Sequence, residues 1–209
     1  MLDNQQWIAP EYYNLTSEIE RHAPEKIALK WLNEHRDYEE ITYGELRKQA
    51  NRLAGGLAAL GLQQGDRVLV MVPRRIIAYV IYLACLKLGL AIIPSSEMLR
   101  AKDLSYRLRH SEARAVIAWS EVTEEVDKIS DDLPALDYRL SVSGNSDELG
   151  QGWLDLESLM IDQPDAFTAV ASHRNDMAIL AYTSGTTGNP KAVVHSHGWG
   201  YAHLRITSP

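Results

Sequence analysis

The chain has 209 residues, of which 45% are hydrophobic and 23% charged, so it falls among ordinary globular proteins and outside the disordered, collagen-like and low-complexity classes. It carries 21 lysines and arginines against 28 acids, a net charge of −7. That balance argues against general binding to nucleic acid or to an anionic membrane, since both need a basic surface.

The N-terminal stretch MLDNQQWIAPEYYN has neither the basic start nor the apolar core of a signal peptide, and a reducing cytoplasm is the expected setting. The first clear helix opens at Thr42, where Thr42-Tyr43-Gly44-Glu45 forms a capping box: hydroxyl and carboxylate each satisfy the other residue's free amide. Leu46, Ala50, Leu53, Leu57 and Leu60 follow at helical spacing, and Gly61 supplies the stop. The apolar run Arg67 to Val72 predicts a strand ended by Pro73, and a helix follows from about Arg75 to Leu88. Within that helix lies Cys85, the single cysteine, which excludes an internal disulfide and reads as a buried, inert thiol. From Ile76 to Ile93, 18 residues carry one charge, Lys87, which is long enough to mimic a membrane span. Leu88-Gly89 stops the helix, however, and Ala91-Ile92-Ile93 reads as a short buried strand, so no span is predicted.

The same order then repeats: a helix over Lys102 to His110, a strand over Ala115 to Ala118, a helical stretch near 121 to 129, and a strand over Tyr138 to Val142. Between residues 121 and 165 there are 13 acids and two bases, Lys128 and Arg139. Core-type residues Trp153, Leu154, Leu156, Leu159 and Met160 interrupt them, which marks a solvated face rather than an interaction tail. Ser141 to Gly152 reads as a surface loop. Alternating helices and doubly apolar strands predict an α/β fold with a mainly parallel sheet covered on both sides, and no internal domain boundary is visible.

The last predicted strand, Met177 to Tyr182, runs directly into Thr183-Ser184-Gly185-Thr186-Thr187-Gly188-Asn189-Pro190-Lys191, and a β-prone stretch, Ala192 to His195, follows. Four hydroxyls, two glycines, a proline and a lysine in nine residues are chemistry for a polyphosphate. Glycines let successive amides approach the oxygens, hydroxyls donate hydrogen bonds, and the ammonium offsets charge. The spacing is that of neither a Walker loop, which needs Gly-Lys-Ser/Thr opening a helix, nor a G-x-G-x-x-G dinucleotide loop, and Ser184 is not in a nucleophile elbow. A helix is expected after Gly198.

The string Tyr182 to Lys191 resembles the signature phosphate loop of the adenylate-forming superfamily, which includes acyl-CoA synthetases, peptide-synthetase adenylation domains and luciferases. Leu83 to Pro94 is similar to a second core motif of that family, with Leu88 and Leu90 in place of commoner small residues. Pro10 to Asn14, Met71 to Arg75 and Ala101 to Leu108 resemble the medium-chain acyl-CoA synthetase branch, related to acetyl-CoA synthetase. What the resemblance implies is an α/β fold of mainly parallel sheets interleaved with helices, two sheets in all. Residues 1–209 would form a partial, truncated N-terminal AMP-binding domain without the C-terminal lid domain. The implied function is that of an AMP-forming acid–thiol ligase, with a carboxylic acid, ATP and CoA as substrates, in fatty acid metabolism. Thr183, Ser184, Gly185, Thr186, Thr187, Gly188 and Lys191 would hold the β- and γ-phosphates. The motifs for adenine and ribose, the acidic ligand for Mg2+ and the catalytic lysine are expected beyond residue 209, so no catalytic residue is assigned within this chain. Ala192 departs from the family's usual glycine, which an extended backbone tolerates.

Two alternatives stand beside this reading: an inactive module that keeps only fold and phosphate loop, and an amino-acid-activating adenylation domain. In a strand, His195 and His197 would face the same way, with His203 six residues further on, so a metal site is conceivable; no acid is adjacent in sequence to complete it, and no metal ligand is assigned. The family commonly has a histidine at the His197 position, which implies a structural or substrate-side role there. Arg74 and Arg75 read as a solvated helix start. No partner beyond small molecules is predicted, and the oligomeric state is left open.

Overall fold

The computed structural model describes residues 7–129, 132–142, 149–183 and 190–207. Its elements, in chain order, begin with a short helix α1 (Ser17–Glu20) and an antiparallel hairpin, β1 (Ile27–Leu32) and β2 (Tyr38–Thr42). Next come α2 (Tyr43–Leu60), β3 (Arg67–Met71), α3 (Ile76–Lys87), β4 (Ala91–Pro94), α4 (Ala101–Ser111), β5 (Ala115–Trp119), α5 (Thr123–Asp127) and β6 (Tyr138–Val142). The remaining elements are β7 (Trp153–Asp155), β8 (Met177–Thr183), β9 (Lys191–Ser196) and α6 (His197–Thr207).

Seven strands form one sheet in the order β7-β6-β5-β3-β4-β8-β9, and the β1–β2 hairpin is a second sheet of its own. All pairings from β7 through β8 are parallel; only β8 with β9 is antiparallel. The parallel strands are buried on both faces, and their alternation divides the core. Val68, Val70, Ile92, Ile117, Leu140 and Val142 pack toward α2 and α3, whereas Leu69, Met71, Ile93, Val116 and Ala118 pack toward α4 and α5.

Helix ends explain the regular spacing. Thr42 caps α2 by accepting from the Glu45 amide at 3.2 Å, but the Glu45 carboxylate accepts from Gln49 Nε2 at 3.0 Å instead of completing the capping box. Gly61 and Gly89, at φ of 108° and 75°, turn the chain out of α2 and α3, with the Leu62 and Leu90 amides bonding back to the Leu57 and Cys85 carbonyls. Helix α4 ends in the same way on Glu112 at φ 49°, a strained choice that Arg67 supports by donating to the Glu112 carbonyl and carboxylate. The stretch expected to be helical near 121–129 begins as a 3-10 turn, Ser120–Val122, before α5.

From β7 at one edge the chain returns to β8 near the other. It passes through a 3-10 turn, Glu157–Met160, and a segment laid across α2 and α3. Asp165 accepts from Arg52 and Asn51 of α2, and the Val170 amide donates to the Lys87 carbonyl of α3. The N-terminal residues join this wrap: Asn14 Nδ2 reaches the carbonyls of Leu86 (2.8 Å) and Val170 (3.3 Å), and the Leu15 amide donates to His197 Nδ1 (3.1 Å). Among the described residues no helix is long and apolar enough to cross a membrane; the apolar stretch 76–93 is divided between α3 and β4.

Candidate functional site

Open α/β sheets bind ligands in the crevice at the carboxyl ends of their parallel strands. The phosphate-type loop leaves from that end: Thr183 is the last residue of β8, and Lys191 is the first of β9. The two stand directly opposite each other in the antiparallel register, which puts both side chains on one face, and Thr183 Oγ1 lies 3.4 Å from the Lys191 carbonyl. Both are exposed, and Lys191 makes no ion pair among the described residues, so a hydroxyl donor and an uncommitted ammonium flank the loop's mouth. The other loop positions assigned from sequence, Ser184, Gly185, Thr186, Thr187 and Gly188, lie outside the described residues. Ala192 is in extended backbone opposite Tyr182, so its methyl group is accommodated without a positive φ.

Helix α4 supports both stems of the loop, a role not visible along the sequence. Tyr106 donates its phenol to the Pro190 carbonyl (3.2 Å), and His110 Nδ1 lies 2.7 Å from the Tyr182 phenol, which also reaches the Arg107 carbonyl (3.4 Å). The rings of Tyr106 and His110 stack one helical turn apart, with Tyr182 edge-on to both. An aromatic and a histidine at i and i+4 on an amphipathic helix were the only sequence signal for this buttress.

The histidines do not converge. Strand β9 ends at Ser196, whose hydroxyl accepts from the Trp199 amide at 3.2 Å and starts α6 at His197, one residue before Gly198. His197 is fully buried, and desolvation lowers its pKa. Its Nδ1 accepts from Leu15, so the neutral imidazole ties α6 to the N-terminal segment, a structural role. His195 stacks on Trp199 (4.4 Å between centroids) and Trp199 on His203 (5.4 Å). No group of three or more His, Cys, Asp or Glu that could hold a metal ion occurs among the described residues. Arg75 also departs from expectation. Instead of projecting into solvent at the start of α3, it packs over Trp31 (4.7 Å) and Trp119 (5.7 Å) and pairs with Glu39, which offsets its charge at a helix N-terminus.

A profile of the AMP-binding enzyme family matches residues 16–206. The chain belongs to this family. Among curated relatives, it is 44% identical over 211 residues to the uncharacterized acyl-CoA ligase YtcI of Bacillus subtilis (strain 168), covering 100% of this chain and 38% of that protein. It is also 34% identical over 197 residues to the mouse mitochondrial acyl-coenzyme A synthetase ACSM5, covering 90% of this chain and 34% of the relative. The chain therefore spans little more than a third of these curated relatives. Among solved structures, the anthranilate CoA ligase AuaEII in complex with anthranoyl-AMP superposes with a TM-score of 0.81 at 27% identity, over 91% of this chain and 36% of that one. ATP-bound MatB from Rhodopseudomonas palustris gives 0.72 at 28% identity, over 89% and 35%. The α/β fold with its mainly parallel sheet is thus the fold of the matching third of these enzymes.

Proposed function

We propose that this chain is the ATP-phosphate-binding portion of an AMP-forming acid–thiol ligase. In the overall reaction a carboxylate attacks the α-phosphate of ATP, releasing pyrophosphate and leaving an acyl-adenylate, and the CoA thiol then displaces AMP. The observation that carries the reading is the placement of Thr183 and Lys191 opposite each other at the carboxyl edge of the sheet, at the two ends of the 184–190 loop. An exposed ammonium and a hydroxyl on one face fit a polyphosphate, since both donate to phosphate oxygens and the cation neutralises the charge that the leaving pyrophosphate gains. Anchoring of both loop stems to α4, Pro190 through the Tyr106 phenol and Tyr182 through the Arg107 carbonyl, supports a preorganised donor set. Bound Mg2+ would supply further positive charge to the phosphates; its acidic ligand, the adenine and ribose contacts and the catalytic lysine are not assigned to residues of this chain. Anthranoyl-AMP in one structural neighbour and ATP in another support an acyl-adenylating reaction on a carboxylic acid.

Titration calorimetry of ATP and inorganic pyrophosphate into the 209-residue chain tests the binding part. Both are expected to bind, with a loss of about tenfold or more in Lys191→Ala; absence of binding in the wild type would refute it. Mass detection of acyl-adenylates, using protein purified from its native cell and a panel of fatty, branched and amino acids, tests the chemistry. Aminoacyl-adenylates alone would favour an amino-acid-activating domain, and none at all an inactive module.

A further inference from the structure

Arg107 on α4 is half buried and makes no ion pair among the described residues, in contrast to Arg67, Arg109, Arg114 and Arg139, each of which meets a carboxylate. Its Nε is sealed from solvent without a hydrogen-bond partner, and Nη1 reaches only the Ser95 hydroxyl, at 3.4 Å. The guanidinium lies over the Tyr182 ring at 5.3 Å, and Asp103, one turn earlier, acts on it only at longer range. Burial alone holds its pKa below the ordinary guanidinium value. A cation drawn from water without a counter-charge destabilises the free protein, so its position points to an anion that completes it.

Its neighbours indicate which anion. Ser95 directly follows β4, and Tyr182 directly precedes Thr183, so the guanidinium sits between the carboxyl ends of the two adjacent strands β4 and β8. The preceding residue, Tyr106, holds the Pro190 carbonyl, next to Lys191. Tyr182 and Ala192 face the α4 side of the sheet, whereas Thr183 and Lys191, one position along, face the other. Cations therefore approach the same strand ends from both faces of the sheet.

We propose that Arg107 is a second polyphosphate-binding cation, supplied by α4, that holds the terminal phosphates of a nucleoside triphosphate or the pyrophosphate it releases; this rests on the phosphate-loop reading given above. The test is titration calorimetry of inorganic pyrophosphate, ATP and AMP, each with Mg2+, into the 209-residue chain as wild type, Arg107→Met, Arg107→Lys and Lys191→Ala, with thermal melts of all four. Arg107→Met is expected to weaken pyrophosphate and ATP by about tenfold or more while leaving AMP, which lacks the terminal phosphates, unchanged. Its Tm should not fall, because an unpaired half-buried charge is removed, and Arg107→Lys should recover part of the affinity. If Arg107→Met binds pyrophosphate like wild type while Lys191→Ala has lost it, the proposal is overturned and the loop reading stands. A lowered Tm with all three ligands weakened alike would overturn it in favour of a structural role. A wild type that binds no pyrophosphate would overturn both.

Discussion

Gly55 and Gly56 are adjacent in the middle of α2, yet alanine is predicted to have opposite effects at the two positions. A Cβ on Gly56 would stand 2.2 Å from the Leu159 carbonyl oxygen and 2.9 Å from that residue's carbonyl carbon and Cβ. These atoms belong to the 3-10 turn Glu157–Met160, and no side-chain rotation clears a backbone carbonyl. The turn would have to retreat by roughly 1 Å to restore ordinary contact. Overpacking of this kind costs about 1–3 kcal/mol, against a helix-propensity gain of about 0.8–1 kcal/mol for replacing glycine. Gly56→Ala should therefore lose up to about 2 kcal/mol. A Cβ on Gly55 meets Gln163 Oε1 at 2.6 Å, but the rest of that side chain is at 3.5 Å or beyond, and the amide can swing away. Gly55→Ala should keep most of the propensity gain, about 0.5–1 kcal/mol. Urea unfolding followed by far-UV circular dichroism would read Gly55→Ala as the more stable of two variants of identical composition, by about 0.5–3 kcal/mol. Equal stabilities would refute the close seating of the 157–160 turn on α2.

Removing the Asn14 side chain deletes its bonds to Leu86, Val170, Ser172 and Thr16, and Asn14→Ala should lower unfolding free energy by about 2–3 kcal/mol in the same assay. Burial pushes the Cys85 thiol up to about 12, so native protein should resist thiol labelling at about pH 8 and react once unfolded. Because the unfolded thiol ionises near about 8.5, Cys85 also makes stability fall as pH rises above that value; Cys85→Ala should flatten this alkaline slope. Burial lowers the His197 pKa, so the folded state favours neutral imidazole; its stability contribution is full above about 6.5 and declines as pH falls below it. His197→Asn, which keeps an acceptor for the Leu15 amide, should show a shallower loss between about pH 6.5 and 5 in denaturant melts.

Most of the parallel sheet was legible because its strands are doubly buried and read as unbroken apolar runs between helix caps: Arg67 to Val72 became β3, and Ala115 to Ala118 became β5. The β1–β2 hairpin was not. Its strands are half exposed, and the turn is built by Asn33 Oδ1 accepting from the His35 and Asp37 amides with Arg36 at positive φ, a pattern with neither glycine nor proline. Strand β7 has only three residues, too few for a period to show. At the site, residue types alone marked the loop between Thr183 and Lys191. The α4 buttress was hidden because Arg107 and Tyr182 are 75 residues apart and meet only once the sheet order brings β8 beside β4. His195 and His197 do not share a strand face, because Ser196 ends β9 and caps α6 between them.

The ties made by the N-terminal segment have a consequence for how the chain matures during synthesis. The hydrogen bonds of Asn14 to Ser172 and of the Leu15 amide to His197 join positions 158 and 182 residues apart. Helices α2 and α3 and strands β3 to β6 can assemble once the residues up to Val142 have left the ribosome, since their partners are close in sequence. The clasp at Asn14 must wait for Ser172 and His197 to emerge, and loop-closure entropy delays it further. Until then the first residues are free to be captured by proteases or chaperones, and a ribosome stalled before residue 172 would hold a sheet that lacks β8 and β9 and whose N-terminal end is still unfastened.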